Sequence, residues 1–260
     1  MARKQQSWPM VTVGAVALIV VGVTVYWFFG RDSDEPIEPT PTAVVEPPAP
    51  PTPPPSPPEP EPTFELPVLD DSDAVVRDLV AALSAHPRLA TWLVTDDLIR
   101  RFVVVVDNIA DGRNPGQHVP FMRPNTRFQT IGEQPALRIA PANFSRYDTH
   151  AQLIASLDTD GTAESYQRLL PLMDAGYAEL GYPDTEFSST FARAVAHLLD
   201  APVLDEPPTL IPRVSFFEYT DDELESLSPA HKQFMGMGPA NMRVVQAKIR
   251  EIAIAIGLEN

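Results

Sequence analysis

Cysteine is absent from all 260 residues. The chain therefore has no disulfide framework, no thiolate metal site and no cysteine nucleophile, and its redox compartment is left unconstrained. Histidine is scarce too, with five residues at positions 86, 118, 150, 197 and 231. No two stand four apart and no His-Glu-x-x-His run occurs, so a metal site would have to be assembled by tertiary folding. His86 and His231, beside helix-starting prolines, read as loop or cap residues. There is no Gly-x-Ser-x-Gly elbow and no Gly-x-x-x-x-Gly-Lys phosphate loop. The 12 glycines fall mostly at helix ends, where they suit caps rather than ligand cradles. No cofactor is expected.

Positive charge is the other shortage. Nineteen Lys and Arg face 35 Asp and Glu, a formal charge of −16. Three basic and seven acidic side chains lie in residues 1–63, which leaves the remainder at −12. That balance argues against a nucleic-acid partner and against lying flat on an anionic lipid surface.

What the chain does have begins at Pro9–Phe29, a run of 21 residues without a charged side chain. At 1.5 Å per residue a helix of that length spans about 30 Å, the thickness of a bilayer core. Trp8 and Tyr26-Trp27-Phe28-Phe29 fit interfacial aromatic belts. A cleaved signal peptide would have a shorter apolar run and small residues at its end. Arg3 and Lys4 precede the run, while Arg31 is followed by Asp32, Asp34 and Glu35. The positive-inside rule then keeps residues 1–8 in the cytoplasm and sends the rest across. Residues 30–63 form a linker. From Pro36 to Pro62, 14 of 27 residues are proline. Such a segment forms neither helix nor sheet, and as polyproline II it reaches roughly 80 Å.

Residues 64–260 read as one mainly helical domain with a minor hairpin. Its centre is Asp96–Asp111. At 100° per residue, Leu98, Ile99, Phe102, Val103, Val105, Val106, Ile109 and Ala110 share one face, despite the strand-like run of four valines. Asp96 is a suitable N-cap and Gly112 a suitable C′ residue. Arg100 near the start and Asp107 and Asp111 near the end oppose the helix dipole. They read either as incidental charges on a solvated face or as a binding surface. Val104 lies among them, so part of that face is expected to be covered.

Around this helix the pattern predicts a helix capped by Ser72 or Asp70, and a short one opened by Pro87. A polar loop, Arg113–Arg127, is followed by a hairpin of 127–131 with 136–140. Further helices are expected at Ser145–Leu157, at Asp160–Leu180 with Pro171 inside, and at Asp184–Leu199. A proline-rich stretch, Ala201–Pro212, leads to a strand, Arg213–Tyr219. Short helices follow at Asp221–Leu227 and Ser228–Met237, and Gly238-Pro239 opens the last helix. That helix carries an apolar stripe of Met242, Val245, Ile249, Ile252 and Ile256. Its Arg243, Gln246 and Arg250 form a basic edge, read either as solvated cations and internal ion pairs or as a contact for an acidic partner.

The runs Leu-Ile-Arg-Arg-Phe-Val-Val-Val-Val-Asp-Asn-Ile-Ala-Asp-Gly at Leu98–Gly112, Glu-Leu-Gly-Tyr-Pro-Asp at Glu179–Asp184 and Leu-Ser-Pro-Ala-His-Lys-Gln at Leu227–Gln233 carry a resemblance. With Met-Gly-Pro-Ala-Asn at 237–241 and Gln-Ala-Lys-Ile-Arg-Glu at 246–251, they resemble the bacterial family of domain of unknown function 3014 (DUF3014). The resemblance spans roughly 64–257. It implies bacterial origin and envelope placement, and no activity or functional residues.

The expectation is thus a non-enzymatic binding or scaffolding module. It is anchored once in the bacterial inner membrane through Pro9–Phe29, with a periplasmic domain that binds an envelope protein. Arg100, Asp107, Asp111, Arg243 and Arg250 are its candidate surface. The alternative is a membrane-anchored hydrolase of cell-wall or lipid substrates that uses paired carboxylates, with Asp107 and Asp111 as first candidates.

Overall fold

After a 3-10 turn at Leu69–Asp71, α1 (Asp73–Ala81) and α2 (Pro87–Trp92) lead to the expected central helix, α3 (Leu98–Ala110). A hairpin of β1 (Thr130–Ile131) and β2 (Arg138–Ile139) comes next. Then follow α4 (Ala142–Ser145), α5 (Asp148–Ala155), α6 (Thr159–Glu179) and α7 (Phe187–Asp200). A second hairpin pairs β3 (Leu210–Pro212) with β4 (Phe217–Tyr219), and α8 (Asp222–Ser226), α9 (Pro229–Met235) and α10 (Pro239–Ala255) end the order. This computed structural model describes residues 65–124 and 126–258. The expected anchor Pro9–Phe29 and the linker 30–63 lie outside the described residues. Among the described residues no helix is long and apolar enough to cross a membrane.

The helical class matches the expectation, but there are two small antiparallel sheets where the sequence predicts one. Prolines hide β3 from a pattern reading. Pro212 closes that strand, where a missing N–H is tolerated. The expected strand Arg213–Tyr219 shortens to β4 because Arg213 and Phe216 close the turn, with an N–H···O distance of 2.8 Å. Arg138 also bridges to Thr209, so the two hairpins join. The expected helix Ser145–Leu157 divides into α4 and α5.

The central helix begins two residues later than expected. Asp96 is not its cap. Asp97 turns left-handed at φ 58°, and its side chain caps nothing. The carboxylate of Asp73 in α1 does that work, accepting from the N–H of Asp97 and of Leu98 at 2.9 Å each. The other end is as expected. Gly112 sits at φ +70°; its N–H donates to Ile109 O (2.9 Å), and that of Arg113 donates to Asn108 O (2.7 Å). These two bonds make a Schellman ending.

Two apolar clusters lie on α3 and α10. In the first, Ile99, Val103 and Val106 of α3 pack on Tyr177 of α6, Phe187 of α7 and Val76 of α1; Val103 and Phe187 are 0% exposed. In the second, Met242 and Val245 of α10 pack on Phe234 and Met235 of α9 and on Ala151 of α5. The stripe on α10 serves both, since Ile249 packs against the second cluster and Ile256 against the first. Gln246 departs from its expected place on a basic edge. It is buried, and its amide donates to the carbonyls of Leu198 and Ala201 at 3.0 Å, ending α7. Free carbonyls at a buried helix end need such donors.

Candidate functional site

Four of the five predicted site residues fall into three separate ion-pair groups. At the start of α3, Arg100 meets Glu179 Oε2 at 2.6 Å, Asp70 Oδ1 at 2.5 Å and Asp97 Oδ1 at 3.3 Å. Hydrogen bonding to Glu179, then to Asp70, raises its pKa above the ordinary arginine value, and the same bond lowers that of Glu179. At the far end, Arg113 reaches Asp107 Oδ2 (2.9 Å) and Asp111 Oδ2 (2.8 Å), and its Nε donates to Asn108 Oδ1 (3.1 Å). Arg193 adds a contact to Asp111 at 3.4 Å. Charges that oppose the dipole of α3 thus have local partners of opposite sign at both ends. Arg243 pairs with Asp205 at 2.7 Å, and Arg250 is exposed without an ion pair among the described residues. Asp107 and Asp111 come together on Arg113; Arg100 stands at the other end of the helix, and Arg243 and Arg250 stand on α10. Exposed pairs of this kind contribute about 0–1 kcal/mol each. Asp107 differs, because it is 7% exposed and depends on Arg113 for a partner.

A wide concavity lies beside these groups. It is a cleft of about 830 Å³, within the roughly 300–1,000 Å³ usual for small-molecule sites. Val105, Asn108 and Ile109 of α3 form one wall. Tyr147, His150 and Ile154 of α5 form another. Phe234 of α9, with Met237, meets Val245 and Ile249 of α10 across the floor. The loop after α3 closes the last side with Arg113, Val119, Met122 and Arg123. That loop, too broken to read as an element, holds two 3-10 turns at Pro115–Gln117 and Pro120–Met122. The lining contains no carboxylate, and its full charges are the two arginines.

His150 packs in the wall, with ring centres 5.6 Å from Trp92 and 5.9 Å from Tyr147. Its Nδ1 is buried without a hydrogen bond of good geometry. Burial lowers its pKa first and the Arg88 charge second, against the pull of the Met122 and Arg146 backbone. The ring is therefore neutral at pH 7. Of the residues lining this cleft, the expected surface contained none. The one signal was the length of the loop 113–127, since long irregular loops often carry function.

A serine and two histidines also meet outside the cleft. His197 Nε2 is 2.8 Å from Ser228 Oγ, and the rings of His197 and His231 stack at 3.9 Å. Ser228 Oγ accepts from the His231 N–H at 3.1 Å, so it caps α9 as expected. His231 Nε2 lies 2.7 Å from His197 O. A Cβ at Gly112 would stand 3.0 Å from Ser228 Cβ, so the serine is held tightly under the end of α3. These bonds join α7 to α9, and the Ala230 N–H donates to Gly112 O at 3.0 Å, which ties α9 to the end of α3. Among the described residues no group of three or more His, Cys, Asp or Glu could hold a metal ion.

No curated protein and no solved structure matches the chain. Residues 98–253 match the family described as Protein of unknown function (DUF3014), and the chain belongs to that family.

Proposed function

From the N-terminal apolar run and the cleft geometry, we propose that the protein is a single-pass bacterial inner-membrane protein whose helical domain is a non-enzymatic binding module. The uncharged run Pro9–Phe29 and the flanking Arg3, Lys4 and Arg31 support a cytoplasmic N-terminus and a periplasmic domain. The proline-rich segment holds the domain off the bilayer and confines it, which raises its effective concentration near the membrane. The observation that carries the binding role is the cleft itself: concave, apolar-walled, and free of carboxylates. Hydrolysis by paired carboxylates has less support. Asp107 and Asp111 are engaged by Arg113, and neither lines the cleft.

The absence of cysteine makes a clean test of topology possible. Single cysteines at Ser7 and Ser33 in the full chain are exposed to a membrane-impermeant maleimide on intact spheroplasts. Labelling at 33 and not at 7 is expected; the reverse pattern rejects the periplasmic placement. For the binding role, a photoreactive amino acid replaces Val119 or Met237 in the cleft, or Val214 on the exposed hairpin turn, in living cells. Reproducible adducts from the cleft positions above those from Val214 support the module. Equal yields from all three oppose it.

A further inference from the structure

We infer that the cleft takes a single-chain anionic amphiphile, its acyl chain lying between α3, α5 and α10 and its carboxylate or phosphate head at Arg123. This rests on the binding role proposed above and names the ligand class. The walls supplied by Val105, Ile109, Ile154, Val245 and Ile249 offer methyl and methylene surface, which suits a hydrocarbon chain. The two arginines of the lining differ in availability. Arg113 is committed to Asp107, Asp111 and Asn108. Arg123 is exposed at the mouth and has no carboxylate partner among the described residues. An arginine fork facing a cleft without carboxylates favours a carboxylate or phosphate.

The acidic balance of the domain does not oppose this. Net charge governs adsorption to an extended anionic surface, whereas one head group within a few ångströms of Arg123 answers to its immediate surroundings. The combination favours removal of single amphiphiles over binding to a bilayer. The neutral ring of His150 keeps the inner wall uncharged, as a hydrocarbon chain requires.

The test uses the full-length chain in nanodiscs of zwitterionic phosphatidylcholine, with a long-chain fatty acid carrying a terminal diazirine. After irradiation, labelled peptides are mapped by mass spectrometry. Labels on residues 105–124, 147–154 and 234–249 are expected. Excess palmitate or lysophosphatidic acid should compete; palmitate methyl ester and inorganic phosphate should not. Arg123→Glu should reduce labelling at least several-fold. Ile249→Trp and, from the loop side, Val119→Trp should each obstruct the path of the chain and reduce the labels several-fold, so one misfolded variant does not decide the result. Labels confined to 9–29, or unaffected by both tryptophans, overturn the site. Equal competition by the methyl ester, with no effect of Arg123→Glu, overturns the anionic head. If the fatty acid fails while Val119 and Met237 still crosslink in cells, the amphiphile is wrong and the binding module stands. If both fail, both readings fall.

Discussion

The two sides of α3 are built from the same residue types and end in different states. On one side Ile99, Val103 and Val106 are sealed between α1, α6 and α7, with Val103 wholly inaccessible. On the other, Val105, Asn108 and Ile109 face a cleft of about 830 Å³. The four consecutive valines divide between them. Val103 and Val106 enter the core, Val105 lines the cleft, and Val104 is half-buried. An amphipathic stripe therefore specifies which residues leave water for a neighbouring helix. It does not say whether a neighbour fills the space completely.

The largest effect belongs to the sealed side. Phe187, 0% exposed and ringed by Phe102, Tyr177 and Phe191, should cost about 3–5 kcal/mol on Phe187→Ala, read as a urea-unfolding midpoint of the full chain. A small loss there would mean that the sealed side is looser than it looks. The valine pair sharpens the contrast. Val103→Ala removes two buried methyls and leaves a void, at about 2 kcal/mol. Val105→Ala widens an existing cleft and should cost under about 1 kcal/mol. Equal costs would break the distinction between the two sides.

The start of α3 gives a smaller effect. Asp73→Ala strips the acceptor from two N–H groups and should cost about 1 kcal/mol, with Asp96→Ala near zero. The smallest effect is a pH dependence set by two half-buried histidines, only one of them in the cleft wall. His150 in the cleft and His197 beside Ser228 both titrate below the ordinary 6.5, chiefly through burial, with Arg88 and His231 respectively adding to it. The unfolded chain then binds these protons more readily. Their contribution is present above pH 6.5 and is lost as pH falls through the folded values. Unfolding midpoints should decline as pH falls below 6.5, and the decline should shrink in His150→Phe.

Local signals were legible where a short stretch decides its own geometry. The face of α3, Gly112 at its end, Ser228 at the start of α9 and the stripe on α10 all follow from spacing and caps. The cap of α3 was not legible, because Asp73 stands 24 residues before the N–H of Asp97 it accepts from. Nor was β3, whose prolines resemble a linker. The candidate site was read least well. Arg100, Asp107 and Asp111 drew notice as misplaced helix charges, and the structure gives them internal partners. The cleft draws on α3, α5, α9, α10 and the loop after α3, and only tertiary packing brings these together. Arg123 and His150 carry no sequence motif that marks them.

The most direct test of a loaded cleft is native mass spectrometry of the full-length chain, purified from the cells that make it and held in lipid nanodiscs. The expected result is a population carrying a bound species, reduced several-fold in both Ile249→Trp and Val119→Trp and kept in Val214→Trp on the hairpin turn. A chain of unliganded mass in every case, or a bound species indifferent to both cleft tryptophans, would contradict the assignment of this cleft as the binding site.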